Sequence, residues 1–188
     1  SDVHGHFEVL NEQLRDARER LGRRVEAALV VGDLGLFEGE LRRFFDKEQR
    51  YFDSHVYFID GNHEDHGALP KLCQRYGEQL THLPRGTLRR LRGHRFLALG
   101  GAAYMDAATT PRRSVIAEEE IDLALSHDPR DVDIVLTHDC PQGIGVRNSP
   151  GFEHYGAPGF ARGLELQRRY QPRLWVFGHH HRWHQREV

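Results

Sequence analysis

The feature that most constrains the fold is a set of short polar motifs, each placed where an apolar run ends. The apolar run 56–59 is followed, after Asp60, by Gly61-Asn62-His63-Glu64. Four other motifs stand behind an apolar run or at the start of the chain: Asp2-Val3-His4, Gly32-Asp33, Thr137-His138-Asp139 and Gly178-His179-His180-His181. In an α/β sheet the carboxyl ends of the strands open onto one edge, so these side chains are expected to meet there.

Taken singly, each motif has an ordinary structural explanation, because Asp-x-His or Gly-Asp at a strand end commonly forms a turn or a cap. Five such motifs in one chain, rich in Asp, Asn and His, are hard to explain as unrelated turns. Carboxylate, amide and imidazole groups together suit Mn, Fe, Zn or Ni better than Ca. The set therefore predicts a metal centre.

The remaining sequence predicts an α/β chain, because apolar strands alternate with segments of helical spacing. We expect strands at 27–31, 56–59, 96–99, 132–137 and 173–177, and helices at 7–21, 41–52, 69–76, 117–126 and 159–170. A length of 188 residues fits one domain with a substantial core.

Composition excludes several classes of protein. Lys and Arg number 26 against 28 Asp and Glu, a formal net charge of −2, so the molecule as a whole is not a basic nucleic-acid binder. The two cysteines, Cys73 and Cys140, lie far apart in sequence, which argues against a disulfide framework. No apolar run approaches the length of a membrane span, and no signal peptide is visible. We expect a cytoplasmic protein that does not bind membranes.

The segment 85–95 alternates apolar and basic residues, as in a half-buried pair of strands. Its arginines either form a solvated basic face or contact substrate phosphates, which arginine suits through bidentate hydrogen bonding. The loop 102–114 carries Arg112 and Arg113. These two are candidate substrate contacts, because a loop of this length beside a sheet edge is often functional.

The order Asp-x-His, Gly-Asp, Gly-Asn-His-Glu, strand-end His and Gly-His-x-His resembles the calcineurin-like metallophosphoesterases over nearly the whole chain. The resemblance implies a four-layer α/β/β/α sandwich of two packed mixed sheets flanked by helices. Members of that family normally begin with a buried strand and continue past Gly-His-x-His with further strands. We therefore expect residues 1–188 to form a single domain that lacks its first and last strands, which leaves open a signal peptide ahead of Ser1.

By the same resemblance, the chain binds two divalent metal ions and Asp33 is their shared ligand. Asp2, His4 and His181 would complete one site, and Asn62, His138 and His179 the other. Such a pair of ions lowers the pKa of a bound water, orients a phosphate and stabilises the charge of an in-line displacement. His63 would be the general acid toward the leaving oxygen, or only a hydrogen-bond donor in support of the site. His180 should face away from the site if its segment is extended.

Two comparisons of motifs narrow the expected function. Serine/threonine protein phosphatases carry Gly-Asp-x-x-Asp-Arg-Gly, but residues 32–38 here read Gly-Asp-Leu-Gly-Leu-Phe-Glu. The acid of that motif expected to orient His63 is absent and so is the arginine, which argues against a protein phosphatase. Glu38, Glu64 and Asp65 are the candidates for orienting His63 instead. The segments 59–64, 99–101 and 136–144 resemble the catalytic core of RNA lariat debranching enzymes. Those enzymes often have Cys at the position of Asp2 and carry a C-terminal extension that this sequence does not show. Lariat RNA as the substrate therefore does not follow.

We expect a phosphodiesterase that acts on a nucleotide or nucleic acid through a hydroxide activated by the two metal ions. One alternative is a phosphomonoesterase, which would need cationic groups around a dianionic phosphate. The other is a non-catalytic binding or scaffold module of the same fold. Retention of every ligand position and of His63 argues against that last alternative.

Overall fold

A computed structural model describes residues 1–187 and contains two β-sheets. The first sheet has the order β1-β2-β3, and its strands are parallel: β1 (Ala27–Val31), β2 (His55–Ile59) and β3 (Leu80–His82). Three helices accompany it: α1 (Phe7–Leu21), α2 (Glu38–Leu41), which continues as a π-helical segment (Arg42–Lys47), and α3 (Leu69–Arg75). Their apolar residues pack with those of β1 to β3 in one cluster.

The second sheet has the order β4-β5-β6-β7: β4 (Thr87–Leu91), β5 (His94–Leu99), β6 (Ile134–Thr137) and β7 (Leu174–Val176). The pair β4 and β5 is antiparallel, as the alternating segment 85–95 predicts, and the other pairs are parallel. This sheet packs against α4 (Glu118–Ser126) and α5 (Gly163–Tyr170). Short 3₁₀ segments lie at Arg112–Ser114, Pro129–Asp131 and Glu153–Tyr155.

The two sheets pack face to face through a small apolar layer. Val31 and Ile59 of the first sheet pack there with Phe96, Ala98 and Leu136 of the second. The fold is therefore a four-layer α/β/β/α sandwich, as expected, with antiparallel pairing confined to the second sheet among the described strands. Because both faces of each sheet are covered, strands such as β2 read as continuous apolar runs rather than as alternating ones.

Two predicted helices differ from the observed ones. The second helix does not reach Phe52: it ends at a turn in which Gln49 has a φ of 53°, although Phe52 is still buried against Phe7 and Phe44. Helix α5 begins at Gly163 rather than at residue 159, because Phe160 pairs as an isolated bridge with Pro141. None of the helices in residues 1–187 is both long and apolar enough to cross a membrane.

Candidate metal centre

The N-terminal segment lies beside the loop that follows β1. Three backbone hydrogen bonds hold it: Asp2 N–H donates to the Gly32 carbonyl at 3.0 Å, His4 N–H to that of Asp33 at 2.9 Å, and Gly5 N–H to that of Leu34 at 3.0 Å. These bonds place the side chains of Asp2 and His4 next to Asp33. A segment at the end of a chain frays unless it is tied down, and these three bonds tie residues 2–5 to the loop.

Asp33 lies at the middle of the predicted ligands, and its residue is only 1% exposed. Its Oδ1 accepts the His63 backbone N–H at 2.8 Å, while Oδ2 lies 3.5 Å from His138 Nε2 and 3.8 Å from His4 Nε2. Burial alone would raise the pKa of Asp33, but hydrogen bonding to His138 and the charge of that ring outweigh it, so the pKa is lowered. An ionised carboxylate between two imidazoles has the position that a shared metal ligand requires.

His138 and Asn62 present lone pairs toward the same point. The His138 Nδ1 lies 2.9 Å from the Val31 carbonyl and must donate to it, which leaves a lone pair on Nε2 of the neutral ring. Asn62 donates its Nδ2 to the Thr109 carbonyl at 2.7 Å, so its Oδ1, 2.9 Å from that Nε2, is also an acceptor. With Asp33 adjoining, three acceptors converge, and they require a cation or a proton among them.

Without a metal ion, a proton on His138 would have to satisfy these acceptors, and the pKa of His138 is raised accordingly. Burial alone would lower this pKa, but the hydrogen bond to Asp33 and its negative charge raise it to about 9. A divalent ion would satisfy the same three acceptors without protonating the ring. The donor groups around Asp33 therefore fit a metal ion.

A second group of donors consists of Asp2, His4 and His181, each of which can direct one ligand atom at a common point. Asp2 Oδ1 lies 3.3 Å from His181 Nε2, yet it is a buried oxygen that accepts no hydrogen bond from any described residue. A buried carboxylate oxygen without a partner is costly, and a metal ion would satisfy it. These are the three residues predicted for one of the two sites.

His179 lies between the two groups. Its backbone N–H donates to Asp2 Oδ2 at 3.2 Å, and its ring centroid is 4.9 Å from that of His138. Burial lowers the pKa of His179 to about 4, so the ring is neutral near pH 7 and has a lone pair to donate. The structure thus brings together all seven predicted ligands, whose roles remain predictions.

Backbone conformation distinguishes the candidate ligands from the rest of the chain. Eight non-glycine residues within 1–187 have a positive φ, and five of them are candidate ligands: Asp2, His4, Asp33, His179 and His181. A left-handed conformation in a non-glycine residue is strained and tends to cluster at functional sites.

The prediction that His180 faces away is wrong. Positive φ values of 69° at His179 and 49° at His181 mean that the segment is not extended. The His180 Nε2 instead lies 2.8 Å from Asp139 Oδ1, and both side chains are largely buried. Asp139, His179 and His180 form a further group able to direct donors at one point, which sequence reasoning missed because strand periodicity does not apply in the turn.

No carboxylate orients the His63 ring among residues 1–187. The Glu64 side chain accepts the N–H groups of Leu34 and Leu36 at 2.8 and 2.7 Å. Burial raises the pKa of Glu64 to about 8, against the effect of those two donors. Glu64 therefore shapes the loop after Asp33 rather than orienting His63, whose exposed ring packs edge-on to His4 with centroids 5.5 Å apart.

A cleft of about 650 Å³ opens over these residues. His4, Asp33, Asn62 and His63 line its floor, and the loops 103–109 and 142–161 form its walls. The exposed Arg112 and Arg113 are not among the described lining residues, so their contact with substrate remains a prediction. Thr109, which holds the amide of Asn62, was missed because a backbone carbonyl has no sequence signature.

Comparisons with known proteins agree with this architecture. No curated protein matches the chain. A solved crystal structure of 15% sequence identity superposes with a TM-score of 0.57 over 95% of this chain and 81% of the other, which supports the fold alone. The sequence model of the calcineurin-like phosphoesterases matches residues 1–183. The chain therefore belongs to the calcineurin-like phosphoesterase family.

Proposed function

We propose that this protein is a phosphodiesterase that depends on two divalent metal ions and acts on a nucleotide or nucleic-acid substrate. The observation that carries the proposal is the convergence of six other candidate ligands on the buried Asp33, with His63 on the floor of the same cleft. Membership of the family supports metal-dependent hydrolysis of a phosphate ester. The resemblance of segments 59–64, 99–101 and 136–144 to a debranching-enzyme core favours a diester.

The proposed site residues have two roles: seven would bind the metal ions, and His63 would transfer a proton. Asp2, His4 and His181 would hold one ion, Asn62, His138 and His179 the other, and Asp33 both. When bound, the ions supply Lewis acidity toward a phosphate oxygen and toward water.

His63 would donate the proton that the leaving oxygen needs. Its backbone N–H is fixed on Asp33 at 2.8 Å, while its ring is exposed to the cleft. This arrangement gives the ring access to substrate without making it one of the ligands.

The charge of the cleft favours a diester over a monoester. Among the described residues that line it, none is a lysine or an arginine. A phosphomonoester carries two negative charges near neutral pH, and a pocket that prefers it over a diester would need cationic side chains. A diester carries one negative charge, which two metal ions can neutralise without them.

The test is hydrolysis of bis(p-nitrophenyl) phosphate against p-nitrophenyl phosphate by protein that has been chelated and reloaded with Mn²⁺. The proposal expects a higher kcat/KM for the diester and loss of both activities in Asp33→Asn. Preference for the monoester would identify a phosphatase. Absence of turnover with both substrates, at full metal occupancy, would identify a non-catalytic module. The expected cytoplasmic location is a separate prediction, testable by fractionation of the source cells.

A further inference from the structure

The cleft has an aromatic wall, formed by Tyr104, Phe152 and Tyr155, which the metal chemistry does not use. All three side chains line the same cleft as Asn62 and His63. Tyr104 is 60% exposed and Phe152 is 40% exposed, although large aromatic side chains are usually more deeply buried. Their rings therefore offer faces that another planar group can cover.

Tyr155 of the wall is held in place by hydrogen bonds between loops. The Tyr155 hydroxyl donates to Asp106, whose carboxylate also accepts the N–H and hydroxyl of Thr109. Thr109 in turn accepts the Asn62 amide at 2.7 Å, so the wall is connected to a candidate metal ligand. Phe152 packs on Tyr155 with ring centroids 5.7 Å apart.

The other side of the wall is also tied to the candidate metal centre. Ser149, in the same loop as Phe152, donates its hydroxyl to the His180 carbonyl at 3.0 Å. Asn148 donates to the Gly156 carbonyl at 2.6 Å and so closes the loop on itself. A site that is already ordered loses less conformational entropy when a ligand binds.

We infer that the aromatic wall binds the base of a single nucleoside phosphoester, so that the substrate is a small nucleotide diester rather than a long nucleic-acid chain. The inference rests on the proposed function and specifies its substrate class. Aromatic side chains stack on any base through its π-face. A polymer would also need a track of cationic side chains for its successive phosphates, and the described lining of the cleft contains neither lysine nor arginine.

The test compares two ligands that share a phosphate and differ in the base. Dissociation constants of adenosine 5′-monophosphate and ribose 5-phosphate would be measured by calorimetry on the full chain loaded with Mn²⁺. Because both ligands carry the same phosphate, contacts with the metal ions cancel in the ratio. Stacking of one base predicts that the nucleotide binds roughly 5- to 150-fold more tightly than the sugar phosphate.

Substitutions in the aromatic wall test whether its residues cause the tighter binding of the nucleotide. Tyr104→Ala and Phe152→Ala should each reduce the ratio, and the double variant should bring it close to one, with ribose 5-phosphate binding unchanged. Tyr51→Ala is the matched control: Tyr51 is also 60% exposed but packs on Phe45 and lies outside the described lining of the cleft. This variant should keep the ratio of the unmodified protein.

Three results would overturn the inference: a ratio near one in the unmodified protein, a ratio that the double variant leaves intact, or no binding of either ligand. A thymidine dodecamer that binds more than tenfold more tightly than a dinucleotide would instead indicate a polymeric substrate. Calorimetry needs no turnover, so a base-dependent ratio in a protein that hydrolyses neither aryl ester would refute the proposed function and leave the base site standing.

Discussion

Replacing Arg85 should unfold the protein far more readily than replacing a neighbouring arginine. All five N–H groups of its guanidinium have a hydrogen-bond acceptor: two bonds go to Asp60, one to Glu120, and two to the carbonyls of Arg113 and Val115. The shortest of these joins Nη2 to Asp60 Oδ2 at 2.6 Å, and the two side chains are 9% and 3% exposed. Arg85 therefore joins the end of β2 to α4 and the loop before it.

The magnitude follows from the carboxylate that would be left behind. Burial would raise the pKa of Asp60, but the hydrogen bond from His82 and the charge of Arg85 outweigh it and keep the pKa below its ordinary value. Arg85→Ala would leave that charge buried, which costs about 3–5 kcal/mol. His82 Nε2 still lies 3.1 Å from Asp60, so the lower end of that range is expected.

Urea unfolding at pH 7 measures this cost. With a slope of about 2 kcal/mol per molar urea, Arg85→Ala should lower the unfolding midpoint by about 1.5 M. Arg89→Ala is the control, because Arg89 lies on β4 and is exposed, so its midpoint should barely move. If Arg85→Ala lowers the free energy of unfolding by less than about 1 kcal/mol and also weakens nucleotide binding, the structural role is refuted. The hypothesis that Arg85 contacts a substrate phosphate would then be favoured.

The other predictions concern the same site and its surroundings. His63→Ala should lower turnover about 10²- to 10⁴-fold while metal content, measured by mass spectrometry, is unchanged; full activity would exclude the proton-transfer role. Asp33→Asn should lose metal on gel filtration, and retention of two equivalents would contradict the shared-ligand role. The pKa of Asp60 is lowered on folding, so the ionised carboxylate stabilises the folded protein. This contribution is fully present above the unfolded pKa of about 3.9 and is lost as the pH falls from there toward the folded pKa. The urea midpoint should therefore fall more between pH 5 and pH 3 in the unmodified protein than in an Asp60→Asn/Arg85→Met double variant. An equal drop in the two proteins would show that protonation of Asp60 is not the cause of the acid destabilisation. In metal-free protein, His181→Gly should be about 1 kcal/mol more stable than His181→Ala, since the φ of 49° suits glycine; at an ordinary φ the order would be reversed.

The strands could be predicted because a strand that is buried on both faces has a continuous run of apolar residues in its sequence. Val56, Phe58 and Ile59 are fully buried, the first two against helices and the third against the other sheet. Only apolar residues are tolerated at such positions, so the run is visible without knowledge of the partners. The position of Phe52 could not be predicted from such a run, because its burial depends on contacts with Phe7 and Phe44 from other parts of the chain.

The alternating segment 85–95 gave the hairpin but not the role of its first arginine. Arg85 and Arg89 look alike in sequence, yet one is buried in a network and the other is exposed. What separates them is the position of Asp60, which is 25 residues away and follows a strand of the other sheet. Burial of a charge is decided by its partner, and the identity of a distant partner cannot be read from local pattern.

The candidate ligands could be predicted as residue types, but their backbone conformation could not. Asp2, His4, Asp33, His179 and His181 all have positive φ, and in each case a glycine would adopt the conformation with less strain. Strain of about 1–3 kcal/mol per residue persists only where surrounding bonds enforce it, as the pairing of residues 2–5 with the loop 32–34 does here. Stability alone would favour glycine at these positions. Stability alone therefore does not account for Asp and His at these five positions, which agrees with the metal-binding role proposed for their side chains.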